Sequence, residues 1–153
     1  MSSAGIESGP LKILEVINES GWPTSLLDLE KVLRRAGLTA LPTVLPGFPG
    51  AAYVVPELNG GHVTAGSSHD LTVETISIVG PMDGGREPSE VSALLRAGLS
   101  EIGYSLSGES PDFAGVGTAS GDHVQVDGSH IDGWPGTTNG ALLVSVTRTV
   151  AEG

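Results

Sequence analysis

Residues 71–79, with the sequence LTVETISIV, decide the fold because they form the clearest strand pattern in the chain. Leu71 and Val73 share one parity, whereas Ile76 and Ile78 share the other. That change of face predicts either a β-bulge in this strand or a strand that is covered on both sides. A sheet therefore organises the protein, and the flanking segments must supply its neighbours.

Four other segments have weaker strand patterns. The stretch AAYVV at 51–55 is rich in residues that favour strands, and GHVTAGS at 61–67 is a weaker candidate. Residues 113–126 are interrupted by glycine, which is typical of a hairpin arm or an irregular edge. At 141–150, apolar residues alternate with polar ones, and this alternation predicts a half-buried final strand.

The sequence also predicts three helices. An apolar cluster predicts a short helix at 11–18, and a second helix follows at 24–36. Ser25 can cap the second helix, and Asp28 stands three residues later in the manner of a capping box. The third helix begins at Pro88. Its apolar stripe consists of Val91, Leu94, Leu95, Leu99 and Ile102.

This order of elements predicts an α+β fold, with an antiparallel or mixed sheet of about four to five strands and helices packed on one face. A chain of 153 residues suits a single domain over 1–153, in which 1–23 is an N-terminal helical extension. Residues 39–50, TALPTVLPGFPG, form a Pro-rich extended segment. This segment packs either on its own domain, which is the commoner case, or on a neighbouring subunit.

The charge distribution excludes one class of partner. The formal net charge is −11, and residues 37–153 hold three cations against thirteen acids, a net of −10. A surface so poor in Lys and Arg cannot gain the counterion release that drives binding to a phosphate backbone. A clamp that grips DNA or RNA is therefore disfavoured, whereas a surface past which a polyanion moves without sticking is favoured.

The densest set of possible metal ligands lies in DHVQVDGSHIDG at 122–133. Its two histidines, His123 and His130, are weak candidates, because a spacing of seven residues matches no common metal motif. Acids beside glycines also suit a turn, which is the favoured interpretation. The chain contains no cysteine, and the consecutive Ser68, His69 and Asp70 lack the braced geometry of a catalytic triad. We expect no cofactor, no metal and no enzymatic activity.

The first ten residues lack the basic and apolar regions of an export signal, and no apolar run is long enough to span a bilayer. We therefore expect an unexported protein with no membrane partner.

Several segments together resemble the tail terminator, or tail-completion, proteins of long-tailed bacteriophages. These segments are RRAGL, LPTVLPGFPG followed by AAYVVPELNG, LTVETISIVGP, EPSEVSALLRAGLSEIGY and GALLVSVTRTV. The resemblance covers about residues 25–150 and concerns pattern and element order. It implies a structural virion protein at the head-to-tail junction, present in the host cytoplasm during assembly. The implied partners are copies of itself in a ring, commonly a hexamer, the major tail tube protein, the connector or stopper protein, and DNA passing through the lumen.

For such a ring we expect aromatic and apolar side chains on loops to anchor the contact between subunits. The candidate anchors are Trp22, Leu45, Phe48 and Trp134. Acids on the long loops are the candidates for the lumen, because like charge repels DNA. These candidates are Asp112, Asp122, Asp127 and Asp132.

Two other functions remain open at the level of sequence. An acidic immunity or antitoxin protein would mimic nucleic acid and neutralise a basic toxin. A small metal-dependent enzyme would be built on His123 and His130.

Overall fold

The computed structural model of the protein describes residues 5–44, 51–58, 61–67, 73–82, 87–108, 112–119, 122–134 and 140–149. The helices are α1 (Gly5–Ser20), α2 (Leu26–Arg35) and α3 (Pro88–Glu101), with a short 3₁₀ turn at Pro56–Leu58. The strands are β1 (Leu41–Thr43), β2 (Ala51–Val55), β3 (Gly61–Ser67), β4 (Val73–Pro81), β5 (Ser105–Ser107), β6 (Phe113–Ala119), β7 (Asp122–Ile131) and β8 (Ala141–Thr149).

All eight strands belong to one antiparallel sheet with the order β1-β2-β3-β4-β8-β7-β6-β5. Each half of the sheet is a meander of four consecutive strands, and the two halves meet where β4 pairs with β8. α3 connects the end of the first meander to the start of the second. The two edges of the sheet are therefore the first strand of each meander, β1 and β5.

The predicted sheet of four to five strands with helices packed on one face is wrong, because the described sheet has eight strands, all of them antiparallel, and strands dominate the structure. β1 contains Pro42, which interrupts a strand pattern but is tolerated at a sheet edge. β5 is only three residues long. Residues 113–126, where the glycine pattern predicts a hairpin arm or an irregular edge, contain β6 and the first half of β7.

The change of face in residues 71–79 is confirmed as a β-bulge. The register between β3 and β4 shifts where Gly66 pairs with Thr75 but the next residue, Ser67, pairs with Val73. Glu74 is the extra residue, and it is exposed. Because the bulge inserts one residue, Val73 and Ile76 both point into the core although their numbers differ in parity.

The helix starts are confirmed for α2 and α3. The Ser25 hydroxyl accepts a hydrogen bond from the backbone N–H of Asp28, and Pro88 occupies the first turn of α3. α1 was expected at 11–18, but it begins six residues earlier at Gly5 and continues through Pro10. A proline lacks the N–H that a helix interior uses, so the pattern predicted a later start.

α1 lies at the centre of the hydrophobic core. The side chains of Ile13, Leu14 and Ile17 are fully buried, and α1 contacts α3, β4 and β6. The helix predicted as an N-terminal extension is therefore part of the core itself. Within the described residues, no helix is both long enough and apolar enough to cross a membrane.

Glycines in β6 and β7 make room for aromatic rings on the core side of the sheet. A Cβ atom at Gly117 would lie 2.8 Å from the ring of Tyr104, and one at Gly128 would lie 2.3 Å from the ring of Phe113. Real Cβ atoms do not approach so closely, so both rings depend on glycine beneath them. The glycine pattern that weakened the strand prediction is thus a packing feature.

Candidate functional surfaces

The side chains of the sheet alternate between two faces with different chemistry. One face carries the core and contacts the helices, and it includes Ile76, Ile78, Val144 and Val146. We call the other face the open face, because most of its described side chains are half-buried or exposed, with Ala52, Pro81 and Ala141 as buried exceptions. The half-buried and exposed ones include Val54, His62, Thr64, Thr75, Ser77, Val79, Val116, Thr118, His123, Gln125, Asp127, Ser129, Leu143, Ser145 and Thr147.

The centre of the open face is a row of small polar groups across four strands. Thr64 on β3 pairs with Ser77 on β4, Ser77 pairs with Ser145 on β8, and Ser145 pairs with Asp127 on β7. Directly opposed residues of antiparallel strands place their Cβ atoms about 5 Å apart. The row is therefore a continuous polar strip, with one carboxylate at its end.

A second polar row lies beside the first. Thr75, Thr147 and Gln125 are opposed across β4, β8 and β7. The Gln125 side-chain amide donates a hydrogen bond to the Asp127 carboxylate at 3.4 Å, which links the two rows. The open face thus presents hydroxyls, an amide and a carboxylate.

The cations lie on the other side of the sheet. Of the six Lys and Arg side chains that the structure describes, Arg148 is opposed to Val124 and therefore shares the core-facing parity. The other five are on the helices and are Lys12, Lys31, Arg34, Arg35 and Arg96. The described part of the open face carries neither Lys nor Arg.

Trp22, one of the expected subunit anchors, is packed into its own chain. Its side chain is only 7% exposed, and its indole N–H donates a hydrogen bond to the carbonyl of Val73 at 2.8 Å. The backbone N–H of Val73 in turn donates to the carbonyl of Thr24. Trp22 therefore fastens the connection between α1 and α2 to the start of β4.

Trp134 follows β7 and is half-buried. Its ring is tilted by 57° against the His62 imidazole, with 6.3 Å between the ring centroids. This is ordinary geometry for an aromatic pair, and part of the indole remains exposed. Its role as a subunit anchor stays a prediction, while the other two expected anchors, Leu45 and Phe48, lie outside the described residues.

The four acids expected in a lumen do not form one cluster. Asp127 is on the open face. Asp112 accepts a hydrogen bond from the backbone N–H of His130 at 3.2 Å, and His130 also forms a 3.3 Å contact with Asp132, so these two acids meet where β7 ends. Asp122 is the first residue of β7, at the opposite end of that strand.

The two histidines considered as metal ligands are held apart by the strand that contains both. His123 and His130 are seven residues apart on β7, so they point to opposite faces, and their Cα atoms are about 23 Å apart at the usual rise per residue. One ion cannot bridge that distance. Among the described residues there is no group of three or more side chains able to hold a metal.

Sequence reasoning missed a groove of about 530 Å³ between α1 and α2. Its polar lining contains Lys12, Glu15, Asn18, Glu19 and Arg35. Arg35 also borders a neighbouring cavity of about 270 Å³ beside Trp22 and Lys31, and its guanidinium donates to the Ser20 hydroxyl. The groove holds both signs of charge in similar number, so it does not select an anion or a cation.

The titratable groups with shifted pKa values have structural causes. Burial raises the pKa of Tyr104 to about 12, and its hydroxyl donates to the Asn18 side chain at 3.4 Å. Burial raises the pKa of Tyr53, to which the nearby charge of Glu30 adds. Partial burial raises the pKa of Glu57, but hydrogen bonds outweigh it and lower the pKa overall. The largest of these comes from the backbone N–H of Thr39 at 2.9 Å, followed by the backbone of Glu57 itself and the Thr39 hydroxyl at 2.9 Å.

Two of the helices carry exposed leucines that sequence reasoning missed. Leu94 was predicted in the apolar stripe of α3, yet it is 44% exposed. On α2, Leu27 is 62% exposed. It lies outside the stripe of apolar residues that packs into the core, and this position in the sequence is the signal that could have identified it.

Comparison with models of protein families, with curated proteins and with solved structures finds no match to this chain.

Proposed function

We propose that this protein is a structural subunit, not an enzyme, that forms a ring at the head-proximal end of a phage tail. The ring caps the tail tube and joins it to the connector, and the open face lines the channel through which DNA passes. The observation that carries this proposal is the segregation of charge. All six described cations lie on the helices or on the core-facing side, while the open face presents hydroxyls, Gln125 and Asp127.

A DNA channel needs a wall that does not bind phosphate. Lys and Arg side chains on such a wall would release counterions from DNA and hold it in place. Neutral hydroxyls, such as those of Thr64, Ser77 and Ser145, remain hydrated, and the carboxylate of Asp127 repels the backbone. The open face therefore attracts DNA only weakly and repels its phosphates at Asp127.

The dimensions of the polar strip suit a channel. Because neighbouring strands twist by about 20° relative to one another, only the central strands of an eight-stranded sheet can face the same opening. The four neighbouring strands β3, β4, β8 and β7 are together about 19 Å wide at the usual strand spacing. Six such strips contribute about 115 Å to the circumference of a ring, and the strands that separate them widen the channel beyond about 37 Å, which is already wider than a DNA duplex.

The first experiment measures assembly and tail binding. Light scattering and negative-stain imaging of the purified protein should show closed rings that cap isolated tail tubes. A chain that stays monomeric and does not bind tubes contradicts the proposal. A monomer that instead captures a basic toxin would support the immunity-protein alternative.

The second experiment places charge on the proposed wall. The double variant Ser77→Lys and Ser145→Lys should still form rings but should retain DNA, because each ring then carries a belt of cations. Its affinity for duplex DNA should rise at least tenfold and fall again with salt. Thr24→Lys, on the exposed connection between α1 and α2, is the control and should not retain DNA. Equal DNA binding by the variant and the control would contradict a channel-facing role for the open face.

A further inference from the structure

We propose that copies of this chain contact one another head to tail, with the α2/β1 edge of one copy against the α3/β5 edge of the next. The α2/β1 edge comprises α2, β1 and Val44, and the α3/β5 edge comprises α3 with its flanking Glu87, β5 and the neighbouring Val116. This inference rests on the proposed function, because it assigns the surfaces through which the ring closes.

The two edges lie on opposite sides of the molecule. β1 and β5 are the first and last strands in the sheet order, and each pairs with a single described strand. α3 contacts β5 and β6, whereas Arg34 of α2 and Leu41 of β1 line the same cavity. Each edge is therefore a strand with its own helix beside it.

The exposed charges on the two helices have opposite signs. On α2 the exposed charged side chains are Lys31, Arg34 and Arg35, while its two acids, Asp28 and Glu30, are half-buried. Glu30 is also held in an ion pair with Arg34 at 2.7 Å. A partner that approaches α2 therefore meets positive charge first.

The α3 side shows the reverse arrangement. Its exposed charged side chains are Glu87, Glu90 and Glu101, and its cation, Arg96, is half-buried. Opposite charges across a contact steer two surfaces together and set their register. These two helices are thus electrostatically complementary.

The exposed apolar side chains have the same distribution. Five large hydrophobic residues in the described ranges are exposed; four lie on α2, on α3, or on or beside β1, and the fifth, Val116, lies on β6 next to β5 and points to the open face. Val44 is 88% exposed beside β1, and the others are Leu27, Leu41, Leu94 and Val116. Apolar side chains ringed by charges are the usual composition of a contact that excludes water at its centre.

The charge pattern selects the symmetry of the contact. A twofold dimer would place α2 against α2 or α3 against α3, and like charges would then face each other. A head-to-tail contact instead pairs the cationic edge with the acidic edge, and repetition of one such contact closes into a ring when the rotation permits. The contact depends on side chains, because Pro42 removes a backbone donor from β1 and so disfavours a continuous sheet between copies.

A charge-reversal pair tests this assignment. One variant carries Arg34→Glu and Arg35→Glu, and the other carries Glu90→Lys and Glu101→Lys. Each variant alone should stay monomeric at concentrations at least tenfold above those at which the unaltered protein assembles, because like charges then meet at every contact. A chain with all four substitutions should assemble again. Glu74→Lys, exposed on the middle strand β4 and away from both edges, is the control and should assemble normally.

The outcomes separate this inference from the proposed function. If the unaltered protein forms rings and both variants form them equally well, the assigned edges are wrong while the ring stands. If each variant dissociates and the fourfold variant does not recover, the two edges do not face each other. If the unaltered protein never assembles, the proposed function itself fails. Unchanged thermal unfolding of each variant confirms that the fold is intact.

Discussion

The two faces of the sheet are made by the same strands, yet they follow different physical rules. On β4, Ile76 and Ile78 are fully buried, while Thr75 and Ser77 between and beside them remain partly exposed. One face stabilises the fold by apolar burial, and the other contributes little stability and is free to serve a partner. The comparison teaches that function in this protein should be sought where substitution costs the least stability.

The largest expected effect on stability comes from truncating an apolar side chain on the buried face. Ile78→Ala should lower the free energy of unfolding by about 3 kcal/mol, because it removes buried methylene groups and leaves a cavity. Ser77→Ala, one residue earlier on the open face, should change it by less than about 0.5 kcal/mol. Chemical denaturation of both variants measures the difference, and equal effects would show that the two faces are not distinct.

The next effect comes from filling space on the same face. Gly128→Ala should cost about 2 kcal/mol, because the new methyl group would lie 2.3 Å from the Phe113 ring and the ring must move. Gly66→Ala is the matched control on β3, where the nearest side-chain atom is 3.7 Å away. We expect the control to be within about 0.5 kcal/mol of the unaltered protein. A large cost at Gly66 would mean that the open face is also tightly packed.

The smallest effect on stability concerns the hydrogen bonds between Thr39, which precedes β1, and Glu57 in the 3₁₀ turn. Glu57 accepts two hydrogen bonds from Thr39, and its pKa lies below the ordinary glutamate value of 4.5. A lowered folded-state pKa means that the carboxylate stabilises the fold above pH 4.5 and that this contribution disappears as the pH falls through the folded value. The melting temperature of Glu57→Gln should therefore lie below that of the unaltered protein at pH 7 and approach it below pH 4.5. A gap that persists at low pH would contradict this origin.

Much of the fold was predictable wherever local signals act alone. The Ser25 cap, the start of α3 at Pro88 and the bulge at Glu74 each follow from residue types within a few positions. The number of strands was not predictable, because β1 and β5 have no periodicity of their own and exist through their partners. The same holds for the glycine strands, since nothing local shows that Gly117 lies beneath Tyr104.

The candidate surfaces show the same limit. The acidic excess was visible in the sequence, but its arrangement was not, because parity along β7 separates His123 from His130 and places Asp127 on the open face. Trp22 has the composition of an interface anchor and is nevertheless committed to the core through Val73. The exposure of Leu94 becomes recognisable only in the structure, because Leu94 lies within the predicted apolar stripe of α3, whereas Leu27 lies outside the stripe of α2.

The most direct test of the account is a cryo-electron microscopy reconstruction of the assembled protein. We predict a closed ring in which the row containing Ser77 and Ser145 faces the central channel and α2 of each copy contacts α3 of the next. A ring whose channel is lined by the cationic side chains of α2, or an assembly in which two open faces are buried against each other, would contradict it.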